Sequence, residues 1–470
     1  MSESFDVIVV GARCAGAPLA TMLARDGLRV CVVDKDSFPS DTPSTHGIQP
    51  TGIQVLERIG VLDSLLNLAP PILRLRMVFD DAPVPAADVV AITGAPGLSV
   101  RRITLDEILV NAAADAGAEV RPQTAVTGLV MDNGRVAGVT TPSGELRAPL
   151  VVGADGIRSA VAKMVGAQEC HPTPNGRVFM WAYYEADPTD GEMWIGKVGD
   201  HAYLGMPTDA GLTLIAVCPS IERRGEVRAD REAVYEAGLR AWPELHAGVD
   251  GARRDGPVRT MANMAGFFRP SAGPGWALVG DAGHFKDPTP GQGIADALRQ
   301  SEKLAAAINR ALGGGHGRAD EILREWWRWR DEDAWEMYWF AHDMGAAGPT
   351  PPLRREAQRR IAADPELTTA LVRVLNHELR PSEAFTPAFS LTTMAQALRH
   401  GRGHRRAIMG EAGTAAVNEL RRRRSAPSNA NRCRSPVKAR AQPWSMTSPS
   451  LVPARQPTNQ RTERKPCLGR

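Results

Sequence analysis

The chain opens on short apolar blocks separated by glycine turns. Val7-Ile8-Val9-Val10 has strand length, and the turn Gly11-Ala12-Arg13-Cys14-Ala15-Gly16 follows it. From Ala17 to Asp26, Leu19, Met22 and Leu23 keep the spacing of one helix face, and Gly27 stands where a left-handed cap ends a helix. Leu28 to Val33 is a second apolar block, closed by Asp34. The pattern predicts strand, turn, helix and strand. Ile53, Leu56 and Ile59 predict a short helix that stops at Gly60. Thr104-Leu105-Asp106-Glu107 has the form of a capping box, opening a helix with Leu105, Ile108, Leu109 and Ala112 inward. Asp132-Asn133-Gly134 predicts a hairpin and Ser143-Gly144 a second turn, before strand Leu150-Val151-Val152 runs into Gly153.

From Arg177 to Pro219 the alternation is that of strands rich in aromatic residues, with Phe179, Trp181 and Tyr183 on one face, which predicts an antiparallel sheet. Trp276-Ala277-Leu278-Val279 returns to a buried strand, and a glycine-bearing loop leads to a helix with Ile294, Leu298, Ala305 and Ile308 inward. Glu321 to Phe340 carries five tryptophans among charges, predicting a helix packed over the domains. The division that results is 1–175, a nucleotide-binding first part; 176–270, a β-rich substrate domain; 271–345, the return of the first domain with its long helix; 346–420, a helical region; and 421–470, a disordered basic tail.

Composition narrows the function. An apolar share of 43% is that of a globular protein, and the first apolar block is too short for a signal peptide or a membrane span, so a cytoplasmic protein without stable membrane association is expected. The net charge of +3 hides a tail of about +12, which leaves the rest mildly acidic and gives no case for nucleic acid binding. The six cysteines are scattered with no C-x-x-C pair, against a structural zinc or a dithiol reductase, and no metal site is expected.

The chemistry begins at the first turn. A glycine turn lets the backbone approach a pyrophosphate, the helix N-terminus offers unpaired N–H groups, and an acid at the end of the second strand accepts from a ribose hydroxyl. Gly11 to Gly16 and Asp34, with Lys35 beside it, fit that layout, except that Arg13 takes the middle glycine of G-x-G-x-x-G. Arg13 either adds a phosphate contact or points to solvent. Arg102 either reaches a phosphate or flavin edge or is a surface charge. His46, in a polar loop, either faces a ligand or bonds its own backbone. Trp181, Tyr183, Met193 and Tyr203 either form core or floor a pocket for a flat apolar substrate.

Three separated motifs stand in one order: the turn at Gly11, Asp155-Gly156, and Gly280-Asp281 with its extension Pro288 and Gly291-Gln292-Gly293. The chain thereby resembles the class A flavoprotein monooxygenases, the para-hydroxybenzoate hydroxylase-like aromatic hydroxylases, from Phe5 to about Gly345. The resemblance implies an α/β fold: a Rossmann-like FAD-binding domain of glutathione reductase type, an antiparallel β-sheet substrate domain and C-terminal helices. It implies FAD, with Gly11 to Gly16 at the pyrophosphate, Asp34 at the ribose, Arg102 near phosphate or flavin, and Val126 at the adenine. Asp155 and Gly156 would serve FAD and the nicotinamide donor, Asp281 the ribityl chain, and Gly291 to Ile294 the flavin ring, with Pro288 between ring and substrate. NADH or NADPH would reduce the flavin, and a flavin hydroperoxide formed with O2 would hydroxylate a small aromatic or polyketide-like substrate, with His46 or Tyr203 as base. The turn G-A-R-C-A-G also resembles geranylgeranyl reductases, which saturate double bonds on the same fold. The W-x-W-x-I-P motif of flavin-dependent halogenases is missing. A non-catalytic redox sensor or binding partner is the third reading, and it leaves the aromatic sheet without a use.

Overall fold

The computed structural model describes residues 3–44, 46–80, 82–313 and 315–427. In chain order, strand β1 (Val7–Val10) leads through the glycine turn into α1 (Gly16–Arg25) and β2 (Val30–Val33), and α2 (Pro50–Arg58) follows. Strands β3 (Arg74–Phe79) and β4 (Ala82–Asp88) come next, then α3 (Arg102–Asp115), β5 (Glu119–Arg121) and the meander β6 (Gly128–Asp132), β7 (Arg135–Thr141) and β8 (Gly144–Arg147). β9 (Leu150–Gly153) ends the first part. β10 (Phe179–Tyr184), β11 (Met193–Val198), β12 (His201–Pro207), β13 (Thr213–Cys218) and β14 (Arg259–Met261) precede the return strand β15 (Trp276–Leu278). The helices α4 (Gly293–Leu312), α5 (His316–Met344), α6 (Pro352–Ala363), α7 (Pro365–Leu375), α8 (Pro387–His400) and α9 (Arg405–Arg424) complete the described chain.

Two sheets organise the molecule. In the first, β15, β9, β1, β2 and β5 lie parallel in that order, with the short strand Ala272–Gly273 added antiparallel at one edge. Apart from the edge strand β5, their apolar sequences suit burial on both faces: α1, α2, α4 and α5 cover one, the meander the other. The Asn133-Gly134 hairpin forms with φ of 48° and 78°, the left-handed pair that a two-residue turn requires.

The second sheet has the order β14–β10–β13–β12–β11–β3–β4. It differs from the sequence expectation in that 74–88, placed in the first domain, supplies two of its strands, with β3 parallel to β11. One face buries Phe179, Trp181, Tyr183, Met193 and Met206 against Ile361, Leu371, Val372 and Leu375 of α6 and α7; the other buries Tyr203 and Trp194 against Trp242 and the helices around it. Burying each Leu or Val side chain of α7 contributes about 1.5–3 kcal/mol, enough to hold these helices on the sheet. At the C-terminus α9 reaches Arg424, so Arg421 to Arg424, assigned to the tail, are helical, and Arg422 makes a two-pronged ion pair with Asp343 at 2.7 Å on each arm. The remainder of the expected tail, from 428, lies outside the described residues. No helix among the described residues is long and apolar enough to cross a membrane.

Candidate active site

The cofactor cradle is built where β1 ends. Gly11 has φ of 101°, and a Cβ there would stand 2.5 Å from the Ala154 carbonyl oxygen; one on Gly16 would overlap the Gly11 oxygen at 1.8 Å. Both positions therefore exclude any side chain. The Asp34 carboxylate fixes the turn, accepting from Ala12 N–H at 2.8 Å and from Asp36 N–H at 2.9 Å. Its remaining lone pairs are what a ribose hydroxyl would use. Cys14, Ala15 and Gly16 are buried residues whose N–H groups find no backbone acceptor among the described residues, the arrangement that receives an anion at a helix N-terminus.

The second glycine motif lies directly over the first. A Cβ on Gly280 would stand 3.0 Å from the Ala15 methyl group, Ser301 Oγ donates to the Ala15 carbonyl at 2.7 Å, and Gln300 Oε1 accepts from Gly280 N–H at 3.2 Å. Asp281 makes no hydrogen bond to another described residue. Desolvation pushes its carboxyl up to about 6, with the Arg102 guanidinium opposing. A carboxylate lacking a protein partner beside unpaired amides is the donor and acceptor set that the ribityl and pyrophosphate groups of FAD need, so the residues present fit that cofactor.

Arg13 does not point into solvent. Its guanidinium donates to Asp106 Oδ2 at 2.6 Å, Asp36 Oδ2 at 3.1 Å and Ser40 Oγ at 2.9 Å, and lies over the Phe38 ring. The side chain in the middle of the fingerprint thus ties the turn to α3. Asp106, fully buried, also accepts both arms of Arg102 at 2.9 Å and the Cys14 thiol at 3.4 Å. It is the site residue that sequence reasoning missed; the signal was the four-residue spacing of Arg102 and Asp106 on one helix face. The expected capping box does not form, because α3 already begins at Arg102 and the Thr104 hydroxyl donates to Asp209 at 2.7 Å. Burial pushes the Cys14 thiol up to about 12, which leaves it protonated at neutral pH.

The Asp155 carboxylate is spent on the following helix, accepting from the Ser159 hydroxyl at 2.5 Å and from Ala160 N–H at 2.6 Å and Val161 N–H at 3.1 Å, while Gly156 turns with φ of 75°. Val126 is half-buried against the meander, and Lys35 is exposed. Pro288 accepts from Gly291 N–H at 2.9 Å to close the loop, Gly293 is exposed at the start of α4, and Ile294 is buried.

On the substrate side, Trp181, Tyr183 and Met193 share the face covered by α6 and α7. Tyr203 does not join them: its hydroxyl donates to the Gly238 carbonyl at 2.8 Å and its ring meets Trp242 edge to face. His46 does. Held with φ of 60° by its N–H bond to Ser44 Oγ at 3.1 Å, it is 1% exposed and hydrogen-bonds Tyr183 Oη through Nε2. Trp181 Nε1–H donates to the same hydroxyl at 3.3 Å. Burial, with Arg102 adding to it, lowers His46 from 6.5 to about 3, and burial raises Tyr183 to about 12, so both are neutral across the physiological range.

The roof over this face comes from the helical region 346–420. Thr51 N–H and Oγ1 donate to Asn376 Oδ1 at 2.9 Å and Asn376 O at 3.0 Å, and Gln292 Nε2 donates to the Val374 and Leu375 carbonyls at 3.0 and 2.8 Å. Beneath them Asp296 pairs with Lys286 at 2.5 Å and with His377 at 3.0 Å. Against the cost of burial, these partners hold the Asp296 carboxyl well below the usual range. A separate cavity of about 460 Å³, lined by Val178, Arg228, Thr260 and Asn263 among others, lies on the opposite face of the sheet and is no part of this site.

Residues 4–338 match the family model described as FAD binding domain. The menaquinone reductase of Mycolicibacterium smegmatis is 31% identical over 66% of this chain and 77% of its own length. The rifampicin monooxygenase of Streptomyces venezuelae is 28% identical over 65% of each chain. Among solved structures, a myxobacterial FAD-dependent chondrochloren halogenase superposes with a TM-score of 0.66 at 21% identity, covering 81% of this chain and 99% of the halogenase, a likeness of fold. The chain therefore belongs to the FAD-binding-domain family, that of the class A flavoprotein monooxygenases and their reductase relatives, and it is an FAD-dependent oxidoreductase.

Proposed function

We propose that the protein hydroxylates a small aromatic or polyketide-like substrate, using O2 and a nicotinamide electron donor. The observation that carries the reading is the inner face of the second sheet, where Trp181, Tyr183 and His46 form one neutral hydrogen-bonded row and His46 lies within the field of Arg102 in the cradle. FAD, when bound, supplies electron acceptance from the nicotinamide and activation of oxygen. The chain's own groups do the rest. The amides of Cys14 to Gly16 and the Arg102 charge hold phosphate, Asp34 the adenosine ribose and Asp281 the ribityl hydroxyls. The N-terminus of α4 at Gly293 favours the negative charge of a reduced ring. The α6–α7 roof excludes water, which keeps an oxygen-activating site from discharging into solvent. The similarity to a rifampicin monooxygenase supports the same class.

The test is turnover under ¹⁸O2 with NADH and with NADPH against a panel of phenols and aromatic polyketides. One labelled oxygen atom in the product supports hydroxylation; unlabelled product, or flavin reoxidation without product for every compound, removes it. The similarity to a menaquinone reductase favours a second reading, reduction of a carbon–carbon double bond in an isoprenoid or quinoid substrate. That reading requires anaerobic reoxidation of the reduced protein by an unsaturated isoprenoid, an outcome that hydroxylation does not give.

A further inference from the structure

His46 was expected to act, if at all, as a base. The structure gives it another part. Tyr183 is 1% exposed, and among the described residues its Oη has two hydrogen-bond partners, Trp181 Nε1 and His46 Nε2. Trp181 can only donate, so the tyrosine's own proton has one place to go, His46 Nε2. The opposite arrangement, with His46 Nε2 protonated, leaves the Tyr183 proton buried without an acceptor, which costs roughly 1–3 kcal/mol. Direction therefore runs from Trp181 through Tyr183 to His46, and a neutral imidazole that accepts at Nε2 carries its hydrogen on Nδ1. That atom is buried and has no hydrogen-bond partner among the described residues.

We infer that the Nδ1–H of His46 donates a hydrogen bond to a substrate oxygen that bears no proton, a quinoid or ketone carbonyl or a phenolate. The placement suits it. Gly47, the next residue, puts its α-carbon face toward Met206 and Met193, with a Cβ built there 3.6 Å from Met206 Cε and 3.9 Å from Met193 Cε. His46 thus borders the methionines of the apolar face, hydrogen-bonded to Tyr183 and within the field of the cradle arginine. A flat apolar ring against the methionines with its oxygen toward His46 satisfies the one buried donor this row leaves open. The inference deepens the aromatic-substrate reading and rests on it for the identity of the ligand.

The experiment uses FAD-loaded protein labelled with ¹⁵N-histidine, the His46 signals being assigned by their loss in His46→Phe. Two-bond proton–nitrogen correlation reads the tautomer directly. The expected result is an Nδ1-protonated ring that does not titrate between about pH 5 and 8, and a shift toward the Nε2-protonated form in Tyr183→Phe. The probes are 2-methyl-1,4-naphthoquinone and naphthalene, similar in shape and different in oxygen. The quinone is expected to move the Nδ1 resonance and to bind about tenfold more weakly to His46→Phe, while naphthalene changes by less than about twofold. An Nε2-protonated ring in the wild type, a titration within that window, or equal losses for both probes overturns the inference. If neither probe binds, the tautomer and its response to Tyr183→Phe decide. A correct tautomer with quinone-selective binding but no ¹⁸O incorporation leaves the donor standing and removes the hydroxylase reading, so the two fail separately.

Discussion

Replacing Asp281 by Asn tests whether the cradle keeps its affinity for FAD at the expense of the empty fold. The Asp281 carboxyl is raised from 3.8 to about 6, chiefly by desolvation, with no hydrogen bond from another described residue to offset it. A raised carboxyl binds more protons in the folded chain than in the unfolded one, so this group costs nothing below about pH 4 and destabilises progressively as pH rises through 6. The difference of about two units corresponds to roughly 3 kcal/mol, an upper figure because the residue keeps some accessible surface. Asparagine has the same shape and no charge to desolvate. In FAD-free protein Asp281→Asn is therefore expected to melt a few degrees above wild type at about pH 8 and level with it at about pH 4. With FAD present the difference narrows or closes, since a carboxylate accepting from a ribityl hydroxyl is worth roughly 1.5–3 kcal/mol, or about 10- to 100-fold in affinity. The assay is differential scanning calorimetry at the two pH values with and without FAD, alongside flavin titration by fluorescence quenching. A variant less stable than wild type at high pH without FAD, or one that binds FAD as tightly, refutes the placement of Asp281.

Three further outcomes follow from contacts in and around the site. Arg13→Gly restores the glycine of the usual fingerprint and is nonetheless expected to destabilise by about 2–4 kcal/mol and to shed flavin on gel filtration, because it leaves Asp106 and Ser40 without this partner. Asn376→Ala removes the acceptor for Thr51 N–H and is expected to cost about 1–2 kcal/mol. Its signature is uncoupling: NADH consumption rising relative to product, with cleavage by protease appearing near α7. Ending the chain after Pro427 is expected to leave melting temperature and flavin content unchanged. Ending it after Gly410 removes Glu411, which accepts from Leu353 and Arg354 N–H at 2.8 and 3.0 Å, and Arg422, so the roof helix α6 loses its cap and the melting temperature falls.

The cradle was legible because its cause is local. Strand, turn, helix and acid occupy about thirty consecutive residues, and the bonds by which Asp34 fixes the turn close within them. What lay outside local pattern was lost. Strands 74–88 escaped notice since Pro83 and Pro85 argue against a sheet, yet β4 is an edge strand, where proline is tolerated. Tyr203 was misplaced because residue type does not fix phase: in β12 it pairs with Val217 on the outer face, while Met206 lies inward. Arg13 could not be read without Asp106, its partner far along the chain. The bonds of Gln292 to the C-terminal helices were not legible in sequence because they are made to backbone carbonyls at the end of α7, which carry no signature in residue type.

The bond between Thr51 and Asn376, 325 residues apart, fixes an order of assembly during synthesis. Every group of the cradle, from Gly11 to Ser301, has left the ribosome while α7 is still to be made, so flavin can enter a cleft whose roof does not yet exist. Only when the end of α7 arrives can Thr51 and Gln292 make their bonds to it. In the finished protein, loosening α7 breaks those bonds without breaking a strand pair of either sheet, so Asn376→Ala is expected to exchange its cofactor faster without unfolding as a whole.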